Sequence, residues 1–230
     1  MRKLGLIGGM GPESTVVYYQ RICQEVCKRA GGSFFPNLTI ESRDCFVVTG
    51  FCGEGRYDQL VDYYVEAVET LARAGCDFAA IGCNTGHIVF DRVAERSPIP
   101  LVSIVEATRD VMVEQGFKRP LLLGTKATME GAFFKDALIA AGMGVVRPPE
   151  PEREWLYRTI FDELEMGIVT DKSVARFGRL VAEGAEHGAD CVILGCTELP
   201  MLADRLELPI PAVDTLQIHI DALVDAIMEE

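Results

Sequence analysis

The chain contains no apolar run approaching the roughly 18 residues that a membrane-spanning helix needs, so no membrane partner is expected. Its N-terminus, "MRKLGLIGGMGP", starts with charge and turns apolar as a signal peptide does. The apolar run is very short and breaks into a Gly-rich turn, so it reads as a first strand, and the protein as cytosolic. Basic residues are scarce and scattered: 22 Lys and Arg stand against 35 Asp and Glu, a formal net charge of −13. With no basic run there is no footprint for a phosphate backbone, and no nucleic-acid partner is expected. Histidine is rarer still, at three residues. Cys23 and Cys27, four apart on an expected helix, have no His or second Cys pair to complete a metal set. They read as packing residues, and no metal is expected. In a reducing compartment the eight cysteines remain free thiols.

What is present is length and apolar content. At 230 residues and 49% hydrophobic, the chain suits one large domain or two small ones. Two stretches half a chain apart resemble each other, "AGCDFAAIGCNT" and "HGADCVILGCTE". Gly75 matches Gly188, Asp77 matches Asp190, Gly82 matches Gly195 and Cys83 matches Cys196. Each follows a helix-like segment and precedes a Pro-flanked strand, which points to duplication of an α/β unit. Strands are expected near 3–8, 38–42, 77–82, 101–104, 121–124, 144–147, 191–195 and 210–213, with helical patterns between most of them. That alternation implies parallel sheets with right-handed crossovers. The expected fold is α/β, with two pseudo-symmetric doubly wound parallel-sheet domains and the active site in the cleft between them. The first domain takes 1–102 plus 214–230, the second 103–213. "RPPEPERE" (147–154) reads as a loop, since Pro cannot continue a central strand.

Cys83 and Cys196 each stand where a buried strand ends and polar residues begin; Thr197 and Glu198 look like the opening of a helix. Open α/β sheets bind ligands beyond the carboxyl ends of their strands. Two thiols at matched strand ends suit a reaction that removes a proton from one face of a carbon acid and returns one to the other. One begins as thiolate and the other as thiol. Cysteine titrates at about 8.5 when unperturbed and lower near helix N-termini, so such a split pair runs near neutral pH.

Around these thiols lie further candidates. "GLIGGMGPEST" places Gly8, Gly9 and Gly11 after the first strand, with Pro12 suited to a first helical position. Its free amides suit an anion. A dinucleotide fingerprint fails here, because Ser14 occupies its last glycine position, although Glu41 and Asp44 remain candidate ribose acids. A carboxylate ligand is favoured over a pyrophosphate. In "LLLGTKATMEG", Thr125 and Thr128 follow a strand and offer hydroxyls to an anion. In "CNTGH", Asn84 and Thr85 serve either as helix caps or as ligand contacts. His87, one turn after Cys83, reads as support for that cysteine or as packing, and Glu198 as a supporting neighbour of Cys196.

At these residues the chain resembles the aspartate/glutamate racemase family, whose members work without pyridoxal phosphate. The matching motifs are "IGGMGPEST", "GCNTGH", "GTKATME", "IFDELEMG" and "GCTELP", spread along nearly the whole chain. The resemblance implies Cys83 and Cys196 as the catalytic pair, no cofactor, a small amino-acid substrate and a homodimer. It implies Met10, Gly11, Asn84, Thr85, Thr125, Thr128 and Thr197 around the substrate's α-carboxylate and amino group. For aspartate as substrate it implies two cations on the side-chain carboxylate: an Arg in the loop after the second strand and a Lys within the segment matching "IFDELEMG". Here that segment carries Glu163 and Glu165 and no Lys, which leaves Arg43 and Arg56 as the candidate cations. A carboxylate beside Glu165 is repelled unless one of these compensates, so the expected substrate is not aspartate, or the specificity is broad. Competing readings are a related two-cysteine enzyme (hydantoin racemase, maleate isomerase or arylmalonate decarboxylase type), a non-catalytic small-carboxylate-binding protein, and a nucleotide-dependent oxidoreductase resting on Gly9 and Gly11.

Overall fold

A computed structural model describes residues 1–229. The chain divides into two compact units, Met1–Ile104 with the chain from Gln217 onward, and Val105–Leu216. The first unit holds four strands, β1 (Leu4–Gly8), β2 (Leu38–Ser42), β3 (Phe78–Ile81) and β4 (Leu101–Val102), in the order β2-β1-β3-β4 and parallel throughout. The second holds β5 (Pro120–Gly124), β6 (Cys191–Gly195) and β7 (Ala212–Asp214), in the order β5-β6-β7 and likewise parallel. Among the described residues no helix is long and apolar enough to cross a membrane.

The strand order places the sites. In the first sheet the chain moves from β1 outward to β2, then returns to β3 and moves the other way to β4. The reversal falls between β1 and β3, whose ends carry Met10–Gly11 and Cys83. In the second unit Val146 bridges the outer edge of β5 before the chain crosses to β6 and β7. The reversal there falls between β5 and β6, whose ends carry Thr125 and Cys196. Such switch points are where open α/β sheets receive ligands.

The internal repeat has a physical basis. Helices α1 (Pro12–Arg29), α2 (Cys45–Gly53) and α3 (Tyr57–Arg73) lie in the first unit. Gly75 follows α3 and Gly188 follows the helix Asp171–Glu186, both left-handed at φ 77° and 84°, where a side chain would be strained. The matched aspartates then tie each entering strand to its neighbour. The Lys3 N–H donates to Asp77 Oδ2 at 2.6 Å, and the Lys118 N–H to Asp190 Oδ2 at 2.6 Å, with the Arg119 N–H adding a 3.0 Å bond to Asp190. Beneath these anchors, Leu60, Tyr64, Val68 and Leu71 form one face of α3 and pack with Ile7, Ala79 and Ile81. In the second unit Phe177, Leu180 and Val181 pack with Leu121, Leu123, Val192 and Leu194. Each such fully buried aliphatic or aromatic side chain contributes about 1.5–3 kcal/mol.

Three local expectations need correction. The strand expected at 144–147 is a single bridge, Leu121 to Val146; Pro148 and Pro149 follow at once and cannot donate to a ladder. "RPPEPERE" is a loop only in its first part, because a helix, Glu150–Asp162, starts within it, with Pro149 at its N-cap and Pro151 in the first turn. Proline breaks a helix interior but suits its start, which the loop reading overlooked. The helix expected to open at Thr197 begins instead at Pro200, after a turn, and runs only to Ala203.

The aspartate anchor is open to test. Asp190→Ala removes the acceptor for two strand-entry amides and should lower the unfolding free energy by about 1–2 kcal/mol. Asp190→Asn, which keeps one acceptor oxygen, should lose less. Urea unfolding of the two variants measures the difference.

Candidate active site

The loop after β1 is closed by the first turn of α1. The Gly9 N–H donates to Thr15 Oγ1 at 2.8 Å, and both Ser14 Oγ and Thr15 Oγ1 donate to the Gly11 carbonyl. The anion-binding amides expected here are therefore partly engaged: that of Gly9 is taken. Gly11 caps α1 through its backbone, and Met10 is turned into the core.

Met10 meets Cys83 there. The Cys83 thiol lies 3.9 Å from Met10 Sδ, and the Gly86 N–H donates to Cys83 Sγ at 3.3 Å. Tyr64, wholly buried on α3, donates its O–H to Met10 Sδ at 3.1 Å and lies 3.9 Å from Cys83 Sγ. Tyr64 is the residue that sequence reasoning missed. Its signal was a phenol on the apolar face of an amphipathic helix, where a buried O–H requires a partner. Asn84 does not cap through its side chain: it takes up helical dihedrals before the short 3₁₀ turn Thr85–Val89. Asn84 is buried and Thr85 half-buried beside Cys83.

His87 holds the backbone of Cys83 rather than its sulfur. Its Nε2 accepts from the Ile104 N–H at 3.1 Å, so Nδ1 carries the hydrogen and donates to the Cys83 carbonyl at 2.9 Å. His219 is fixed in the opposite tautomer. Its Nε2 donates to the Val102 carbonyl at 3.2 Å, and Nδ1 accepts from the Tyr18 O–H at 2.7 Å. Burial pushes the pKa of His87 down to about 3, with His219 adding to the effect, and burial pushes His219 down to about 4. Both imidazoles are neutral.

In the second unit Thr125 caps the helix Lys126–Glu130, accepting from the Thr128 N–H, and the two hydroxyls lie 3.3 Å apart, both buried. Cys196 differs sharply from Cys83. Its thiol donates to Glu198 Oε2 at 3.0 Å, and Thr197 Oγ1 donates to the same oxygen at 2.9 Å. Burial, then the charge of Glu198 and its hydrogen bond, raises the Cys196 pKa well above the usual thiol range. Burial also raises that of Glu198. Glu165, on the 3₁₀ turn Leu164–Met166, is pushed up to about 7 by burial and by the Glu198 charge. Cys196 is therefore a protonated thiol bound to a carboxylate.

The remaining candidates are engaged elsewhere. Arg43 pairs with Glu41 at 3.1 Å and Glu66 at 3.3 Å and covers the Tyr63 ring, with only 11% of its side chain exposed. Arg56 pairs with Glu54 at 2.8 Å and lies over Phe51 with its side chain 46% exposed. Glu163 accepts from Ser173 Oγ and Thr170 Oγ1 at the start of the helix Asp171–Glu186. The two ribose candidates are occupied as well: Glu41 by Arg43, and Asp44 by the Phe46 N–H at the start of α2. Among the described residues no group of three or more His, Cys, Asp or Glu is arranged to hold a metal ion.

The sequence profile of Asp/Glu/Hydantoin racemase matches residues 7–223. The broad specificity amino-acid racemase RacX of Bacillus subtilis is 24% identical over 217 residues, 92% of this chain and 92% of that protein. A crystal structure of a candidate Asp/Glu racemase from Yersinia pestis has a TM-score of 0.91 at 32% identity and covers 100% of both chains. That of an aspartate racemase homologue from Pyrococcus horikoshii has a TM-score of 0.82 at 33% identity, again over 100% of both. Glutamate racemases match too, and the chain spans about half the length of those relatives.

The buried histidines set a pH dependence. Both folded pKa values, about 3 and about 4, lie below the roughly 6.5 of an unfolded histidine. Their stabilisation is therefore complete above about pH 6.5 and is lost as pH falls toward 4 and then 3, at up to about 1.4 kcal/mol per pH unit for each group. Imidazole resonances of His87 and His219 should stay in their neutral positions down to pH 5. Titration of either near 6.5 in the folded protein would contradict the assignment.

Proposed function

The chain belongs to the Asp/Glu/Hydantoin racemase family, and from that premise we propose that it is a cofactor-independent amino-acid racemase, an isomerase in which Cys83 and Cys196 serve opposite faces of one substrate α-carbon. The observation that carries this reading is a matched pair of strand-end thiols in unlike surroundings. A donor, the Gly86 N–H, faces the Cys83 sulfur, with the Tyr64 hydroxyl 3.9 Å away, whereas an acceptor, Glu198, faces Cys196.

In one direction Cys83, as thiolate, takes the α-proton. The carbanion that remains is planar, and Cys196 delivers its thiol proton to the other face, ending as thiolate. The opposite enantiomer reacts by the reverse sequence. Each half is general acid–base catalysis, worth roughly 10²–10⁴-fold for a well-placed group. Met10, Gly11, Asn84, Thr85, Thr125, Thr128 and Thr197 are assigned to the α-carboxylate and amino group; all stand just beyond the ends of β1, β3, β5 and β6. His87 fixes the backbone of one cysteine, and Glu198 accepts a hydrogen bond from the thiol of the other. The proposal extends to a homodimer in the cytosol, a setting in which the eight free thiols persist.

Specificity follows from charge. A second carboxylate, on the substrate side chain, is repelled if it lies beside Glu165, and Arg43 and Arg56 already have acidic partners. The substrate is therefore a neutral amino acid, or the range is broad. A panel of amino acids in deuterated buffer, with no cofactor added, should lose α-proton signal fastest for neutral polar members, with kcat/KM about tenfold or more above aspartate. A strong preference for aspartate that disappears in Arg43→Ala or Arg56→Ala would sink this assignment.

The thiol roles are separable. Cys83→Ser and Cys196→Ser should each lose racemisation by at least about 10²-fold. Each should still exchange the α-proton of one enantiomer faster than the other, with the preference reversed between the two variants. A shared preference, or full racemisation in either variant, would remove the two-base assignment.

A further inference from the structure

We infer that Tyr64 is a positioning residue for Cys83, its O–H passing from the thioether of Met10 to the sulfur of Cys83 when that sulfur becomes a thiolate. The inference rests on Cys83 being the reacting thiol proposed above. Three atoms define the arrangement: Tyr64 Oη lies 3.1 Å from Met10 Sδ and 3.9 Å from Cys83 Sγ, and the two sulfurs are 3.9 Å apart. The hydroxyl thus has two sulfur acceptors and one hydrogen. A thioether is a weak acceptor. A thiolate is an ionised one, and hydrogen bonds to ionised groups are roughly twice as strong. The nearer partner therefore holds the hydrogen while Cys83 is protonated, and the farther one gains it on ionisation.

The phenol is held for this purpose. Tyr64 is fully buried, and the backbone of Gly86 rests on its hydroxyl so closely that a Cβ there would lie 2.6 Å from Oη. Gly86 is also the residue whose N–H points at Cys83 Sγ. The missing side chain lets the turn settle on Tyr64 and aims a second donor at the same sulfur. Burial, followed by the nearby Cys83, keeps the Tyr64 hydroxyl protonated far beyond its ordinary range, so it acts as a donor and takes no proton itself.

The test uses the full chain and follows alkylation of Cys83 by iodoacetamide across pH, read by mass spectrometry of its peptide. Tyr64→Phe keeps the ring and removes the donor. The pH midpoint of alkylation should rise by about one unit. Racemisation at neutral pH should fall about tenfold and recover as the pH is raised, which a packing defect would not do. Met10→Leu removes the competing acceptor, and the midpoint should fall. An unchanged midpoint in Tyr64→Phe overturns the inference, as does a shift of both variants in the same direction. If Tyr64→Phe fails to fold, Met10→Leu alone decides, an unchanged or raised midpoint counting against. Alkylation requires no turnover, so a wild-type chain that racemises nothing defeats the proposed function while the midpoints still report on the phenol.

Discussion

The constraint on which both strand-end cysteines depend is the close approach of two central strands at the glycine just before each thiol. A Cβ on Gly82 would lie 3.0 Å from the Ile7 carbonyl oxygen, and one on Gly195 would lie 2.6 Å from that of Leu123. Backbone oxygen bonded into a sheet does not step aside easily, so position 195 admits only hydrogen and position 82 leaves a Cβ almost no room. The strand pairs are held at this separation by their ladders and by the Asp77 and Asp190 anchors at the opposite end. Because the glycines fix where each strand stops, they fix where the following sulfur starts.

From that common frame the two halves diverge through the residues just after the cysteine. In one, a 3₁₀ turn brings the Gly86 N–H back onto the sulfur, and His87 clamps the Cys83 carbonyl. In the other, a turn places Glu198 two residues on, where its carboxylate accepts from both Cys196 and Thr197. Matched strand ends with opposite hydrogen-bond polarity give one chain a thiol bonded to a carboxylate and a thiol facing a backbone donor. The arrangement is not additive in the usual sense. The Glu198 charge acts on both neighbours directly, raising the pKa of Cys196 and that of Glu165.

The repeat was readable because its residues answer to backbone physics. Gly75 and Gly188 turn out of a helix, Asp77 and Asp190 pin a strand, and Gly82 and Gly195 meet a carbonyl; each role allows few residue types, so the pattern survives in the letters. The strand at 144–147 and the loop at 147–154 were misread because proline has two meanings, a bar to a ladder and a good first helical residue, and only the fold decides between them. Tyr64 showed in the sequence only as a phenol on an apolar helix face, without its partners. Its hydroxyl meets Met10 and Cys83 across long sequence separations, so no local spacing records it. The engagement of Arg43 and Arg56 was hidden differently: Glu41 and Glu54 stand only two residues away, but a loop sequence does not say which way its charges turn.

The carboxylate beside Cys196 has a kinetic consequence under the proposed reaction. Enantiomers have equal free energy in solution, so no asymmetry between the thiols can favour one hand at equilibrium, and kcat/KM must be the same in both directions. The asymmetry governs the empty enzyme instead. Under that reaction each turnover would release product with the proton on the opposite sulfur, and the bond from Cys196 to Glu198 at 3.0 Å would favour the form with its proton on Cys196. Return of the empty enzyme would then be a step in its own right, and with abundant substrate of one hand the rate of that internal reset would set the ceiling on flux.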